Sequence, residues 1–282
     1  GIAMFGASVF LGQYMQMARG ATPTEAGLMT IPMIAGLLLS SIGVGALITR
    51  YGHWKPYLVV GSILLTAGAA LLSTIHYDTD FFLVSVYMFL LGAGVGMTMQ
   101  NLVLAVQNSA KPSEIGVASS GVTFFRSLGG TIGVSLMGAA LASRVADLFA
   151  GSHERVVAAL TAIGPAGATW GKQLSSGTLP RVSEMPDQLR VIVEDIYAQG
   201  ISSAFLIAVP FGILSILAVI FLPNRSLSTM TTSERRNASE ADLATVSVPA
   251  AMDSITATGT VPVTGSDVDT DARSEAEATP RR

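Results

Sequence analysis

The residue in this sequence that most clearly suggests a chemical role is Arg126, which lies well inside a long apolar stretch. If the stretch that begins at Ile115 is helical, Arg126 lies about 16 Å along it, near the middle of a lipid bilayer. A charged side chain at that depth is energetically costly, so its guanidinium must face a cavity or a partner. Two interpretations follow: a charge on a substrate pathway or in a gate, and a structural arginine bonded to the helix-end carbonyls of a neighbouring helix.

Uncharged polar side chains inside apolar stretches are the next candidates for a functional role. Amides within a bilayer either hydrogen-bond across helices or line a wet path. Thr123 falls on the same helical face as Ser119 and Arg126, because the spacing alternates between three and four residues. We predict a substrate pathway lined by Gln13, Gln16, Gln100, Asn101, Thr123 and Arg126.

Other kinds of chemistry lack the residues they need. The sequence contains no cysteine, and its histidines (His53, His76 and His153) are too far apart for metal-ligand spacing. No stretch offers a nucleophile with a nearby base, or a phosphate-binding loop. The net charge of −3 is too small to indicate a nucleic-acid partner. We therefore predict no metal site, no cofactor, no nucleic-acid binding and no enzyme activity.

The elements that hold these residues follow from the composition. The 282 residues are 50% hydrophobic and only 12% charged, against about 25% charged in soluble domains. A bilayer is crossed by about 20 mostly apolar residues in a helix. We predict an all-α integral membrane protein whose transmembrane helices cover about 1–18, 28–49, 56–76, 81–108, 115–143 and 201–222.

Two regions differ from these spans. Residues 144–200 mix charge with Gly, Pro and Ser and hold amphipathic runs near 145–163 and 186–199, which predicts an extracytoplasmic loop with amphipathic helices. The tail, 223–282, is rich in Ser, Thr, Ala and Asp and has no aromatic residue, which predicts disorder.

Basic residues predict the orientation of the chain in the membrane. The connections 50–55 and 109–114 and the start of the tail are richer in Lys and Arg than the other short connections, so we predict that they are cytoplasmic. We expect a multi-pass protein of the cell membrane, specifically of a bacterial inner membrane. Because the sequence begins inside an apolar stretch at Gly1, we also expect it to be a fragment of a longer protein.

Stripes of small residues run along several of the predicted spans. Glycine lets two helix backbones approach closely, and a GxxxG pair is the commonest form of such a contact. The stripes either pack against other helices or face a cavity. We predict helix-packing roles for Gly92, Gly96, Gly129, Gly130 and Gly133.

Four segments of the sequence resemble segments that recur in one known protein family. Residues 45–55 resemble the pattern G-x3-D-R-x-G-[RK]-[RK], with Thr49 in place of the acid and the basic residue at Lys55. The motif positions are Gly45, Arg50, Gly52 and Lys55. The other segments are 10–16 with 26–28, 114–119 with 125–134, and the long loop before the last span. On these residues the chain resembles the major facilitator superfamily, specifically the C-terminal half of its 14-span drug:proton antiporter branch.

The resemblance implies both an architecture and an activity. It implies the six-helix C-terminal lobe of a two-lobed transporter, with a long external loop before the last span. It also implies export of drugs or other small amphipathic compounds in exchange for protons. The expected partners are the lipid bilayer, an amphipathic small molecule, protons and the missing N-terminal half. No Asp or Glu lies in the predicted spans, so the proton-coupling acids are expected in that half.

Two alternatives to multidrug export stay open from the sequence. One is a dedicated exporter of a single metabolite or antibiotic. The other is a half-transporter that serves as a membrane scaffold without transporting anything.

Overall fold

The structure, a computed structural model, describes residues 1–175 and 182–222 of the chain. Helices account for most of this part, and it contains no β-strand. Short 3-10 turns precede α6 and α9, at Pro112–Glu114 and Val182–Glu184. The α-helices are α1 Ile2–Met17, α2 Pro23–Met29, α3 Ile31–Tyr51, α4 Lys55–Leu72, α5 Phe81–Ser109, α6 Ile115–Gly151, α7 His153–Ala162, α8 Pro165–Ser175 and α9 Asp187–Phe221.

Five helical segments are long and apolar enough to cross a membrane, which confirms the predicted all-α membrane class. They are α2 with α3, and then α4, α5, α6 and α9. The predicted first span, 1–18, is α1 in the structure. With 16 residues, α1 is about 24 Å long and falls short of the roughly 20 residues that a bilayer core requires.

The predicted span 28–49 begins differently from the expectation, because a short helix precedes it. Thr22 and Glu25 form a capping box that starts α2, in which the Thr22 hydroxyl and the Glu25 carboxylate each accept a backbone N–H of the other. The chain then turns at Thr30 and restarts as α3, with a proline in its first turn. Gly52 ends α3 with φ of 70°, a left-handed conformation that favours glycine.

Both flanking helices continue into the predicted loop 144–200. α6 continues to Gly151, and α9 begins at Asp187 and runs without a break through residue 200. The amphipathic run near 186–199 is therefore the first part of the last helix. The other run divides between the end of α6 and α7.

An apolar cluster explains why α9 extends so far beyond its most apolar part. Leu189, Val193 and Ile196 lie on one face of the helix and are almost completely buried. They pack with Val156 of α7 and with partly buried Met17 at the end of α1. Burial of this face stabilises the helical turns, since tertiary packing rather than propensity supplies most helix stability.

The largest apolar core joins α1, α4, α5, α6 and α9. α5 packs along α3 on one side and along α4 on the other, while α9 contacts α4, α6 and α1. α6 packs mainly against α1 and α9 and meets α5 over a shorter stretch. The limited contact between α5 and α6 leaves space between these two helices.

Side chains also tie the connections to the helix ends. The Tyr14 hydroxyl donates to the His76 carbonyl at 2.7 Å, and Arg19 donates to the Thr79 carbonyl at 2.6 Å. At the opposite end, Lys55 donates to the Ile220 carbonyl at 3.0 Å, near the end of α9. A cation near the last carbonyls of a helix also interacts favourably with the helix dipole.

The predicted tail 223–282 lies outside the described residues.

Large apolar side chains cover much of the outer surface. Ile42 is 70% exposed on α3, Phe82 76% on α5 and Leu214 62% on α9. A surface this apolar is unfavourable in water but suits contact with lipid chains.

Candidate functional site

A cavity of about 510 Å³ lies between α1, α4, α5 and α6, where α5 and α6 separate. This volume is within the range of small-molecule sites, roughly 300–1,000 Å³. Most of its lining is apolar. The residues that line it include Ala3, Met4, Leu65, Val95, Met99, Leu102, Val106, Ala118, Gly121, Val122 and Phe125.

Arg126 is the one charged side chain among the described residues that line this cavity. It is partly buried, eleven residues after the start of α6 at Ile115, which corresponds to about 16 Å along the helix. Its side chain makes no hydrogen bond, ion pair or ring contact with any residue that the structure describes. Of the two interpretations of Arg126, its position in the cavity favours the charge on a pathway over the bond to helix-end carbonyls.

The remaining polar side chain of the lining is Thr98, which is already hydrogen-bonded. Its hydroxyl lies 2.9 Å from the Gly94 carbonyl and 3.1 Å from the Val95 carbonyl, both within α5. A threonine bonded in this way satisfies its own donor and adds little polarity to the cavity. The polar chemistry of the cavity is therefore concentrated at Arg126.

A second cavity adjoins the first towards the ends of α5 and α9. It also measures about 510 Å³, and its lining includes Trp54, Ser109 and Leu222. Both cavities share Leu102, Val106 and Ala118 as lining residues, so they meet between α5 and α6. The open space thus extends from the level of Arg126 towards the connection 109–114.

One hydrogen bond connects α5 to α6 beside this shared lining. The Gln107 side-chain amide donates to the Ser119 hydroxyl at 3.0 Å. Both residues are partly buried. In a membrane such a bond holds two helices together at the point where their apolar packing is weakest.

We expect the Gln107–Ser119 bond to contribute a small but measurable coupling energy. In a double-mutant cycle with Gln107→Ala and Ser119→Ala, the coupling should be about 0.6 kcal/mol, and at most about 1.7. Unfolding of the purified protein by increasing SDS measures the free energies. Ser120→Ala is the matched control, because the Ser120 hydroxyl bonds the Gly116 carbonyl of its own helix. An equal coupling between Gln107 and Ser120 would contradict the assignment.

The predicted pathway residues do not form one lining. Gln13, Gln100 and Thr123 are exposed and line neither of the two described cavities. The Thr123 hydroxyl donates to the Ser119 carbonyl of its own helix at 3.1 Å. Gln16 is partly buried, and its amide donates locally to the Gly12 carbonyl at 3.2 Å. Of the predicted set, the structure places Arg126 alone in the lining of the described cavities.

Asn101 is buried but lies outside the cavity lining. It is 1% exposed, and neither its amide nitrogen nor its side-chain oxygen has a hydrogen-bond partner among the described residues. An unpaired buried amide costs about 1–3 kcal/mol. Asn101 does not line either described cavity with Arg126, and its role in the pathway stays a prediction.

The predicted packing glycines divide into two groups. A methyl group added at Gly92 would overlap the Met33 carbonyl of α3, and one at Gly96 would overlap Ser40 and the Leu37 carbonyl. Gly130 and Gly133 lie directly against the Phe5 and Ile2 side chains of α1. Gly129 differs, because an added methyl there would meet nothing within 4 Å. Among the described residues no neighbouring helix packs against Gly129, so its packing role stays a prediction.

Three of the four residues of the predicted loop motif make contacts among the described residues: Arg50, Gly52 and Lys55. Gly52 provides the left-handed end of α3, and its N–H donates to the Ile48 carbonyl at 2.7 Å. Lys55 bonds the end of α9 as described above, and the Arg50 guanidinium lies 5.6 Å from the centre of the neighbouring Tyr51 ring. At Gly45 an added methyl would meet nothing within 4 Å.

The sequence analysis missed most of the cavity lining. Met4, Leu65 and Met99 are ordinary apolar residues of three different helices, and nothing in their local sequence marks them. On α6 the predicted face included Ser119 and Thr123, whereas the lining face is offset by one residue. It contains Ala118, Val122, Phe125 and Arg126.

Comparison with known proteins supports the same general class. The family model of the Major Facilitator Superfamily matches residues 1–134. An uncharacterized MFS-type transporter of Mycobacterium tuberculosis is 34% identical over 230 residues, covering 79% of this chain and 30% of that protein. The multidrug transporter protein MdtP of Bacillus subtilis is 36% identical over 147 residues, covering 52% of this chain and 27% of MdtP. A tetracycline resistance determinant of Streptomyces rimosus is 32% identical over 152 residues, covering 52% of this chain and 44% of the determinant.

The chain spans less than half the length of each of these three relatives. The names of these relatives describe transporters and a resistance determinant. The all-helical fold, its membrane-crossing helices and the family match agree with one another. Together these observations show that the chain belongs to the Major Facilitator Superfamily of membrane transporters.

Proposed function

We propose that the full-length protein exports drugs or other small amphipathic compounds from the cell in exchange for protons, and that this chain is its C-terminal lobe. The observation that carries the proposal is the apolar cavity between α5 and α6 with the unpaired Arg126 in its lining. An apolar cavity with one polar anchor suits a ligand that is mostly apolar and carries a single polar group.

In alternating access, a transporter opens its substrate site first to one side of the membrane and then to the other, and the two halves of the protein share that site. Transporters of this general type bind substrate near the bilayer midplane, between repeats that rock against each other. The depth of Arg126 along α6 agrees with such a midplane site. The other wall of the site then belongs to the N-terminal half.

The proposed proton coupling needs a protonatable group in that other half. The six predicted spans contain no Asp or Glu. A proton that crosses the membrane releases about 2.3 kcal/mol per 100 mV of potential. We propose that an acid in the N-terminal half receives this proton, while this lobe contributes the cavity and Arg126.

The topology of the proposal follows the positive-inside prediction. The connections 50–55 and 109–114 and the tail are placed on the cytoplasmic side of a bacterial inner membrane, and the segment between α6 and α9 on the outer side. The second cavity, which extends towards 109–114, then opens the route to the cytoplasmic side.

The test uses the full-length gene in bacteria whose main efflux pumps are deleted. Two relatives are a multidrug transporter and a tetracycline resistance determinant, so tetracycline is the first compound to measure. One-for-one exchange against a pH difference of about one unit sustains about a tenfold gradient. We expect lower tetracycline accumulation in cells that express the protein, and recovery when a protonophore is added.

Two results would contradict proton-coupled export. One is equal accumulation of every compound in a broad panel with and without the membrane-inserted protein. The other is export that persists unchanged after the proton gradient is collapsed. Export of a single compound in the panel would instead favour a dedicated exporter.

A further inference from the structure

We propose that the cavity beside Arg126 selects anionic amphiphiles, meaning compounds with an apolar body and one carboxylate or similar anionic group. This inference rests on the proposed function, because it takes the cavity as the substrate site. It adds the sign of the charge that the substrate carries.

The charge of Arg126 is not compensated by any residue that the structure describes. Its guanidinium carries five N–H donors, and none of them is matched by a partner among the described residues. The charged side chains before and after it in the sequence are Glu114, which ends the 3-10 turn before α6, and Arg144 on α6. They lie about 18 Å before Arg126 and about 27 Å after it along the helix axis. Glu114 is too distant to neutralise the arginine, and Arg144 carries the same charge.

Apart from Arg126, the described lining of the cavity contains one polar side chain, that of Thr98. The Thr98 hydroxyl is bonded within α5, and the other described lining side chains are apolar. A ligand therefore finds one polar anchor and an otherwise apolar wall. An anion would form charge-assisted and potentially bidentate hydrogen bonds with the guanidinium.

The apolar side chains of the lining suit the apolar body of such a ligand. Met4 and Met99 line the cavity from α1 and α5, opposite Phe125 of α6. Methionine side chains are flexible and polarizable, so they adapt to apolar groups of different shape. The lining thus restricts the charge of the ligand more strongly than its shape.

The same geometry disfavours ligands of other charge. A cation would be repelled by Arg126 in a medium of low dielectric constant, where charges interact more strongly than in water. A neutral ligand could accept hydrogen bonds from the guanidinium through a carbonyl or sulfonyl oxygen, but without a negative charge these bonds are about half as strong as those of an anion. Specificity then arises from repulsion of the wrong charge as well as attraction of the right one.

The experiment compares three fluorescent compounds that share one dansyl group. Dansylglycine is an anion, dansylglycinamide is neutral and monodansylcadaverine is a cation. Binding to the purified full-length protein in lipid nanodiscs is measured by the increase in dansyl emission. We expect dansylglycine to bind at least about tenfold more tightly than dansylglycinamide, and the cation to bind most weakly.

Substitutions identify the group responsible for this preference. Arg126→Gln should make the affinities for the acid and the amide nearly equal, whereas Arg126→Lys should keep part of the preference for the acid. Arg144→Gln, which alters an exposed arginine of the same helix, should bind all three compounds like the wild type. If Arg126→Gln does not fold, the wild-type ranking and Arg126→Lys still test the proposal.

Several outcomes would overturn the inference. They are equal binding of the three compounds, tightest binding of the cation, no binding of any of them, and an unchanged preference for the acid in Arg126→Gln. The proposed export can be contradicted independently of the charge preference. If dansylglycine binds with the expected preference but no compound moves in a proton-dependent way, the export is wrong and the charge preference stands.

Discussion

Replacing Gly92 with alanine is expected to destabilise the protein strongly, although the change adds a single methyl group. The new Cβ would overlap the Met33 carbonyl oxygen of α3. A backbone carbonyl cannot rotate away as a side chain can, so α3 and α5 must separate along their contact. Overpacking of this kind costs about 1–3 kcal/mol and sometimes more. The thermal unfolding midpoint of the purified full-length protein should therefore fall by several degrees.

Gly129→Ala is the matched control for this prediction. Gly129 also lies within a transmembrane helix, but its added methyl would meet nothing within 4 Å. Alanine is favoured over glycine in a helix by about 1 kcal/mol, so this variant should unfold at the same temperature as the wild type or slightly higher. An unfolding midpoint for Gly92→Ala at or above that of Gly129→Ala would contradict the close packing of α3 and α5.

Arg126→Ala is expected to reduce export by at least about tenfold while leaving the amount of protein in the membrane unchanged. Hydrogen bonds from a charged group contribute about 1.5–3 kcal/mol, and 1.4 kcal/mol corresponds to a factor of ten. Insertion should not suffer, because removal of a buried charge makes α6 more apolar. The measurement is the initial rate of efflux of a compound that the wild-type protein exports, divided by the protein level in the membrane.

Two companion variants separate the role of Arg126 from general damage to α6. Arg126→Lys keeps the charge but loses the planar fork of the guanidinium, so it should fall between the wild type and alanine. Arg144→Ala removes an exposed arginine of the same helix and should export normally. Wild-type rates in Arg126→Ala at equal expression would remove this residue from the pathway.

The expected loss in Arg126→Ala and the close packing at Gly92 concern two different parts of the lobe. The contacts of α5 with α3 and α4 leave little room for change, since Gly36, Gly61, Gly68 and Gly94 also lie against neighbouring backbone or side chains. Between α5 and α6 the packing is open, and the Gln107–Ser119 hydrogen bond spans the gap. We expect movements during transport to occur at the open side rather than along the glycine contacts.

Much of the architecture was predictable from local sequence features. The low charge and the long apolar stretches identified an all-helical membrane protein, because lipid requires every backbone polar group to be satisfied within the segment. Helix boundaries were less accurate at α6 and α9. The amphipathic turns near 186–199 looked like a separate element, since their burial depends on α7 and α1 rather than on their own sequence.

Local sequence features were enough to identify Arg126 as a costly charge within an apolar helix and to show that glycines cluster in the spans. These conclusions depend on composition and on spacing along a single helix. The three-dimensional fold was needed to learn that Gly133 packs against α1 whereas Gly129 contacts no other described helix, and to learn which side of α6 faces the cavity. One residue changes the direction of a side chain by about 100° around a helix. The rotation of α6 is set by its contacts with α1 and α9, which are distant in sequence and leave no local signal.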